Sequence, residues 1–172
     1  MSHKTVSPNE LQFFKDNSHI VMRGLFNDKQ VCDLQRWTTE ITNWPEEKGK
    51  WMHYFENTPK GERLCRTENF VDHHEGMRHI ANEILRNIVG QLHGSEMYLY
   101  KEKINYKMPG GGAFPDHQDI PAYVLADYYI TVMVPIDPCT VENGTVCFSA
   151  GNWKGKRLRM NERKEIHPEV AK

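Results

Sequence analysis

Apolar residues recur at helical spacing through the first half of the chain. Ser7-Pro8-Asn9-Glu10 has the pattern of a capping box with proline at the first helical position, and it predicts a short helix that ends near Asp16-Asn17. Asp28 is expected to cap a second helix, and Pro45 is expected to end it. The apolar face of that second helix would be formed by Val31, Leu34, Trp37 and Ile41.

A third helix is predicted over about 74–90, because apolar residues continue at a spacing of three and four there. It should stop near Gly90 or Gly94, since glycine adopts the left-handed conformation that ends many helices. Its apolar run is Met77, Ile80, Ala81, Ile84, Leu85, Ile88 and Val89.

The second half of the chain changes to runs of β-branched and aromatic residues, which favour strands. The segment 46–72 is interpreted as polar and irregular. Helices first and strands later predict an α+β fold with a mainly β core, in which helices cover a β-sandwich or barrel. The predicted strands are His19 to Gly24, Met97 to Lys107, Tyr128 to Ile136 and Thr145 to Phe148.

Length and composition fit one domain over residues 1–172, with 1–95 mostly helical and 96–172 forming the strand-rich part. The formal net charge of −1 gives no field that would attract nucleic acid, and no apolar run approaches the length of a membrane span. The four cysteines form no close pair, so they are expected to be reduced thiols in a cytoplasmic protein rather than zinc ligands. The expected partner is a small molecule, and the sequence does not indicate an oligomeric state.

The main candidate for chemistry is the His117-Gln118-Asp119 segment, which follows the glycine loop Gly110-Gly111-Gly112. Two residues apart on an extended chain, His117 and Asp119 point to the same face. One imidazole and one carboxylate form two thirds of a facial triad for non-haem iron(II). A rival, His73-His74-Glu75, stands just before the third helix and is interpreted as a solvated helix start.

Basic and polar residues alternate along the strand predicted before the glycine loop. Lys101, Lys103, Asn105 and Lys107 would share one face. Lysine on an exposed strand often marks a solvated edge, and periodicity alone favours that interpretation. The alternative is a cationic wall of a pocket for an anionic ligand.

Several segments in the second half resemble the phytanoyl-CoA dioxygenase family, whose members are iron(II)- and 2-oxoglutarate-dependent oxygenases. The resemblance is most specific from Lys101 to Asp119, which contains the basic strand, the glycine loop and the His-x-Asp pair. Ile130 to Asp137 and Glu142-Asn143-Gly144 match the following strand and turn of that family in the same order. Ser149 to Lys154 matches a later loop imperfectly.

The resemblance implies a double-stranded β-helix, or jelly roll, with N-terminal helices on its outside. It implies that His117 and Asp119 bind iron(II), and that Lys103, Asn105, Thr131 and Met133 line the pocket for 2-oxoglutarate. The implied reaction is hydroxylation of an unactivated carbon. The substrate would be a small, anionic molecule such as 2-aminoethylphosphonate, or an acyl-CoA.

The sequence departs from the family at its C-terminal end. Members carry a second iron-binding histidine far downstream and then an arginine that binds 2-oxoglutarate, whereas this chain ends at Lys172. His167 is the only later histidine, but it stands in a charged segment that no arginine follows. We therefore expect a fragment that lacks the last strands, binds iron and 2-oxoglutarate poorly and shows no coupled succinate release. The alternatives are a non-catalytic jelly-roll binding protein and an unrelated protein with a chance match.

Overall fold

Helices and a small antiparallel sheet alternate along the chain. The computed structural model describes residues 5–119, 128–148, 158–159, 161 and 166. In chain order the elements are α1 (Pro8–Asn17), α2 (Asp28–Thr42), β1 (Met52–Thr58), β2 (Gly61–Glu68), a 3-10 turn (Val71–His73), α3 (Glu75–His79), a π-helical stretch (Ile80–Leu85), α4 (Arg86–His93) and β3 (Lys103–Asn105).

Helix α1 begins with the predicted capping box. The backbone N–H of Glu10 donates to the Ser7 hydroxyl at 3.3 Å, and the Glu10 carboxylate accepts the Ser7 N–H at 2.8 Å. Together these bonds satisfy two backbone donors that a helix start leaves unpaired. Ser18 ends the helix in the left-handed conformation. The predicted helix and its bounds are confirmed.

Helix α2 is confirmed, with one change at its start. Asn27 rather than Asp28 is the N-cap, and its side chain accepts the Gln30 N–H at 2.9 Å. Of the predicted apolar face, Leu34 and Ile41 are buried and Trp37 is partly buried, whereas Val31 is exposed. The helix ends at Thr42, three residues before Pro45, which cannot continue a helix.

The segment interpreted as irregular contains a β-hairpin, so that part of the prediction is wrong. β1 and β2 pair antiparallel from Met52↔Glu68 to Thr58↔Gly61. Gly61 closes the turn with a φ of +97°, a conformation that glycine adopts without strain. Strand β3 pairs with β2 through Arg66↔Asn105, Thr67↔Ile104 and Glu68↔Lys103, and the sheet order is β1-β2-β3.

The third predicted helix is confirmed in position but is assembled from shorter pieces. Residues 71–93 run through the 3-10 turn, α3, the π-helical stretch and α4, and Gly94 ends the run with a φ of +87°. His74 starts the helix as expected, but it is buried rather than solvated. Its Nδ1 accepts the Met77 N–H at 3.1 Å, so the imidazole acts as the N-cap.

Much of the predicted strand content is wrong for the described residues. His19 to Gly24, Tyr128 to Ile136 and Thr145 to Phe148 contain no strand, and only Lys103–Asn105 of the longer prediction pairs. A strand is defined by its hydrogen-bonded neighbour, which intrinsic preference does not supply. The described part of the chain thus shows one three-stranded antiparallel sheet. The double-stranded β-helix stays a prediction, as does the single domain over 1–172.

The core lies between α2, the third helical region and the sheet. Its buried members are Leu34, Ile41, Phe70, Val71, Met77 and Ile80. Val134 and Ile136 pack against them, and the Gln35 side-chain amide donates to the Ile136 carbonyl at 3.1 Å. These contacts hold the second half of the chain against α2. No helix in the described ranges is long and apolar enough to cross a membrane.

A chain of hydrogen bonds crosses the sheet where β3 ends. His53 Nε2 lies 3.0 Å from the Trp44 carbonyl, and its Nδ1 lies 2.8 Å from the hydroxyl of Thr67, which is fully buried. The Thr67 hydroxyl is also 3.1 Å from the Tyr106 hydroxyl, which Thr42 approaches to 3.1 Å. Buried polar groups need such partners, so this network fixes the position of Tyr106 just before the glycine loop.

Candidate functional site

The imidazole of His117 and the carboxylate of Asp119 meet on one side of the chain. The distance from His117 Nε2 to Asp119 Oδ1 is 3.3 Å, and about two fifths of each side chain is exposed (43% and 36%). The segment after the glycine loop is irregular, with bends at Asp116 and Asp119, and it brings the two side chains together.

Each member of the pair is oriented by a second hydrogen bond. His117 Nδ1 lies 2.8 Å from the Pro115 carbonyl, and only a protonated nitrogen can donate to that oxygen. Nε2 is then the nitrogen with a free lone pair. The Thr131 hydroxyl donates to Asp119 Oδ2 at 2.9 Å and leaves Oδ1 on the side of the imidazole. Outer bonds of this kind commonly orient metal-binding histidines and carboxylates.

The pair fits two neighbouring ligands of one metal ion. Ligand bonds of about 2.0–2.2 Å at right angles would place the two donor atoms about 3 Å apart. The observed 3.3 Å is close to that value. No group of three potential ligands occurs among the residues that the structure describes. His167 lies outside the described residues, and iron binding by His117 and Asp119 stays a prediction.

Two backbone contacts bring the C-terminal segment beside this pair. The Ile166 N–H donates to the Asp116 carbonyl at 2.9 Å, and the Leu158 N–H donates to the Gln118 side-chain oxygen at 2.9 Å. Asp116 and Gln118 flank His117 in the chain. The described parts of the C-terminal segment therefore lie against the backbone that carries the candidate ligands.

A cavity of about 280 Å³ lies between the hairpin, the end of β3 and the glycine loop. Its lining is Glu56, Cys65, Arg66, Asn105, Tyr106, Lys107, Gly111, Gly112 and Phe114, and it does not include His117 or Asp119. Phe114 is the lining residue that approaches the pair, with its ring centroid 6.4 Å from that of His117. A larger cavity of about 380 Å³ lies beside α1, but its only carboxylate, Glu10, is used in the capping box.

Two side chains of opposite charge hold the backbone of Gly112 in the glycine loop. The Gly112 N–H donates to Glu56 Oε2 at 3.3 Å, and the Lys107 ammonium donates to the Gly112 carbonyl at 3.3 Å. The same ammonium lies 4.9 Å from the centre of the Phe114 ring, within cation–π range. A Cβ at residue 111 would lie 2.8 Å from Glu56 Oε1, so a larger residue there would displace that carboxylate.

The residues predicted to bind 2-oxoglutarate lie in different places. Asn105 lines the cavity, whereas Lys103, on the same exposed face of β3, is not part of its lining. Thr131 contacts Asp119, and Met133 is 42% exposed. Their binding of 2-oxoglutarate stays a prediction.

The lysines on either side of β3 have different surroundings. Lys101 lies 3.0 Å from the carboxylate of Glu68, which is buried and also lies 3.1 Å from Arg66 Nε. Lys101 therefore neutralises a carboxylate of the sheet. Lys107 faces the cavity.

Sequence analysis missed the cavity residues contributed by the hairpin, Glu56, Cys65 and Arg66. A signal was present. Pro59 and Gly61 are turn-forming residues that stand between a run with Tyr54 and Phe55 and a run with Leu64, Cys65 and Thr67, which is consistent with a hairpin. The contact between Glu56 and the glycine loop joins residues 56 positions apart, and no local pattern indicates it.

Comparison with known proteins identifies close relatives. The chain is 41% identical over 150 residues to the 2-aminoethylphosphonate dioxygenase of the uncultured bacterium HF130_AEPn_1, covering 84% of this chain and 57% of that protein. It is 38% identical over 146 residues to the methylphosphonate hydroxylase of Gimesia maris, covering 84% and 56%. It is 37% identical over 158 residues to the dioxygenase lolE1 of Epichloe uncinata, covering 88% and 61%.

The chain thus spans little more than half the length of these relatives. No solved structure matches it. The family described as phytanoyl-CoA dioxygenase (PhyH) matches residues 14–172, nearly the whole sequence. The chain therefore belongs to the phytanoyl-CoA dioxygenase family.

Proposed function

We propose that this protein is an iron(II)- and 2-oxoglutarate-dependent oxygenase that hydroxylates an unactivated carbon of a small phosphonate. The observation that carries the proposal is the His117–Asp119 pair, at 3.3 Å, with each side chain oriented by its own outer hydrogen bond. Family membership supports the reaction type. The names of two relatives, a 2-aminoethylphosphonate dioxygenase and a methylphosphonate hydroxylase, support the substrate class rather than an acyl-CoA.

Iron(II) with 2-oxoglutarate would supply the oxidant, with one atom of O₂ entering succinate as carbon dioxide leaves and the other entering the substrate as a hydroxyl. The residues of the chain would hold the metal and its ligands in place. His117 Nε2 and Asp119 Oδ1 would hold the metal from one side. Pro115 and Thr131 keep the tautomer of the histidine and the orientation of the carboxylate.

The pocket residues complete the proposal. Asn105 and Lys103 on β3 would donate to a carboxylate of 2-oxoglutarate, and Thr131 and Met133 would lie along the same pocket. A jelly roll is the fold in which these segments would close around the metal, and family membership supports it. The cytoplasm is the proposed location, since all four cysteines are free thiols.

Metal binding gives the most direct test. The 172-residue chain is titrated with Co(II), a stand-in for iron(II), by isothermal calorimetry. We expect binding that falls at least tenfold in both His117→Ala and Asp119→Asn, because each removes one ligand. His79→Ala and Asp28→Asn change the same residue types on exposed helical positions and should bind like the parent chain. Affinity unchanged in both ligand variants would contradict the proposal.

Turnover is measured separately as labelled carbon dioxide released from 2-oxoglutarate in the presence of iron(II) and ascorbate. We expect that any release depends on Asp119 and is stimulated by 2-aminoethylphosphonate. Phosphonate binding by a chain that binds no metal would instead favour the non-catalytic jelly-roll binding protein.

A further inference from the structure

The cavity beside Phe114 contains charges of both signs. Glu56 contributes a carboxylate from β1, and Lys107 contributes an ammonium from the segment after β3. No basic side chain of the described residues lies within ion-pair distance of Glu56, and no acidic one lies within that distance of Lys107. Instead, Glu56 accepts the Gly112 N–H and Lys107 donates to the Gly112 carbonyl.

The third charged residue of the cavity is already neutralised. Arg66 lies 3.1 Å from the Glu68 carboxylate, and its guanidinium stacks over Tyr54 at 4.4 Å. Its charge is therefore shared with the sheet. Glu56 and Lys107 remain as the charged groups of the cavity wall that pair with no described residue of opposite sign.

This arrangement suits a small zwitterion better than a dianion. A ligand with an anionic group at one end would approach Lys107, while Asn105, which also lines the cavity, is left for the carboxylate of 2-oxoglutarate. Its other end would face the Glu56 carboxylate, where a second anionic group is repelled and an ammonium is attracted. The volume of about 280 Å³ is just below the range of about 300–1,000 Å³ typical of ligand pockets, which favours a ligand of few atoms.

We infer that Glu56 is a specificity-determining residue that selects aminoalkylphosphonates, by binding the substrate ammonium while Lys107 binds the phosphonate. The inference rests on the proposed function, which supplies the phosphonate. The new element is the Glu56 carboxylate, which would distinguish a substrate with an amino group from a plain alkylphosphonate. Phe114 lines this cavity, and its ring lies 6.4 Å from that of His117, near which the oxidation is proposed to occur.

The test compares 2-aminoethylphosphonate with ethylphosphonate, which has the same carbon chain without the amine. Binding to the metal-free chain is measured by ³¹P NMR titration and calorimetry. Glu56→Gln keeps a side-chain oxygen that can still accept the Gly112 N–H, so the loop contact is preserved. We expect this variant to bind 2-aminoethylphosphonate about tenfold more weakly and ethylphosphonate unchanged.

Lys107→Gln should weaken both phosphonates by a similar factor, because it removes the cation that both would use. Glu62→Gln and Lys60→Gln alter the same residue types on exposed positions of the hairpin, and they should bind both ligands like the parent chain. A third arm uses 2-oxoglutarate. Its affinity should not rise in Glu56→Gln if Glu56 faces the phosphonate substrate rather than the keto acid.

Three results would overturn the inference. An equal loss for both phosphonates in Glu56→Gln would show that Glu56 only holds the glycine loop. Tighter 2-oxoglutarate binding in that variant, in competition with the phosphonate, would make the cavity the keto acid site. A parent chain without preference for the amine would remove the need for Glu56. In each case the Co(II) titration of His117 and Asp119 still tests the proposed function on its own.

Discussion

Gly76 lies against the indole of Trp37. A Cβ added at residue 76 would stand 2.4 Å from Trp37 Cζ2 and 2.5 Å from Cη2. The start of α3 thus packs on α2 at a distance that only glycine allows, and Trp37 also lies 5.3 Å, centroid to centroid, from the ring of His74.

Gly76→Ala should therefore destabilise the fold despite the higher helix propensity of alanine. We expect a loss of about 1–3 kcal/mol in the free energy of unfolding, measured by urea titration, because the indole must move. Gly112→Ala is the matched control, since a Cβ there meets only Glu56 Oε2, at 3.7 Å. Combining Gly76→Ala with Trp37→Phe should recover part of the loss, and a purely additive double variant would contradict the steric explanation.

Thr131 should matter to metal affinity although it is not a ligand. Thr131→Val keeps the shape of the side chain and removes the hydroxyl that donates to Asp119 Oδ2. We expect Co(II) affinity to fall by about 10-fold or more, as is common when an outer partner of a metal ligand is lost. Thr131→Ser keeps the hydroxyl and should retain most of the affinity. Equal affinities in the valine and serine variants would separate Thr131 from the metal site.

The hydroxyl of Tyr106 should stabilise the sheet. Tyr106→Phe removes a partner from the buried Thr67 hydroxyl, and we expect a loss of about 1–2 kcal/mol in the free energy of unfolding. Tyr128→Phe is the control: Tyr128 is 47% exposed, so loss of its hydroxyl should change the free energy of unfolding very little. In the background of Thr67→Val the effect of Tyr106→Phe should shrink. Full additivity of the two changes would show that the hydroxyls are not coupled.

Asp33 should give α2 a small dependence on pH. Hydrogen bonds from Lys29 and then Arg36 hold the pKa of Asp33 below its usual value. Because the folded pKa is depressed, its contribution to stability is complete above the unfolded pKa and is lost as the pH falls through the folded pKa. Asp33→Asn should therefore lower the Tm slightly at neutral pH and not in strong acid. A difference in Tm that persists at the lowest pH, or that grows there, would rule out this ion cluster as the cause.

The helices and the closeness of His117 to Asp119 could be predicted because their signals are local. The capping box at Ser7 and Glu10 and the glycine after α4 act within a few residues of their own position. The spacing of His117 and Asp119 likewise fixes their common face without knowledge of the rest of the fold.

What could not be predicted depends on contacts between distant residues. Residues 128–136 have strong strand preference, but pairing requires a neighbour that the preference does not provide. His74 was expected in a solvated helix start because it stands just before the helical run. Instead Trp37 and Trp44 pack around it, and its ring nitrogen replaces a serine or asparagine cap. Glu56 belongs to the cavity because it lies on the hairpin, and the hairpin was not predicted because residues 46–72 are mostly polar.

Strand β2 carries Thr67 toward the buried hydrogen bonds, while its neighbours Arg66 and Glu68 form an ion cluster with Lys101. A slip of one residue would exchange the two faces. The buried carboxylate of Glu68 would then be separated from Lys101, and a charge would replace the Thr67 hydroxyl, at a cost of several kcal/mol. The alignment of β3, and with it the placement of Asn105 at the cavity, therefore depends on the alternation of Arg66, Thr67 and Glu68 along β2.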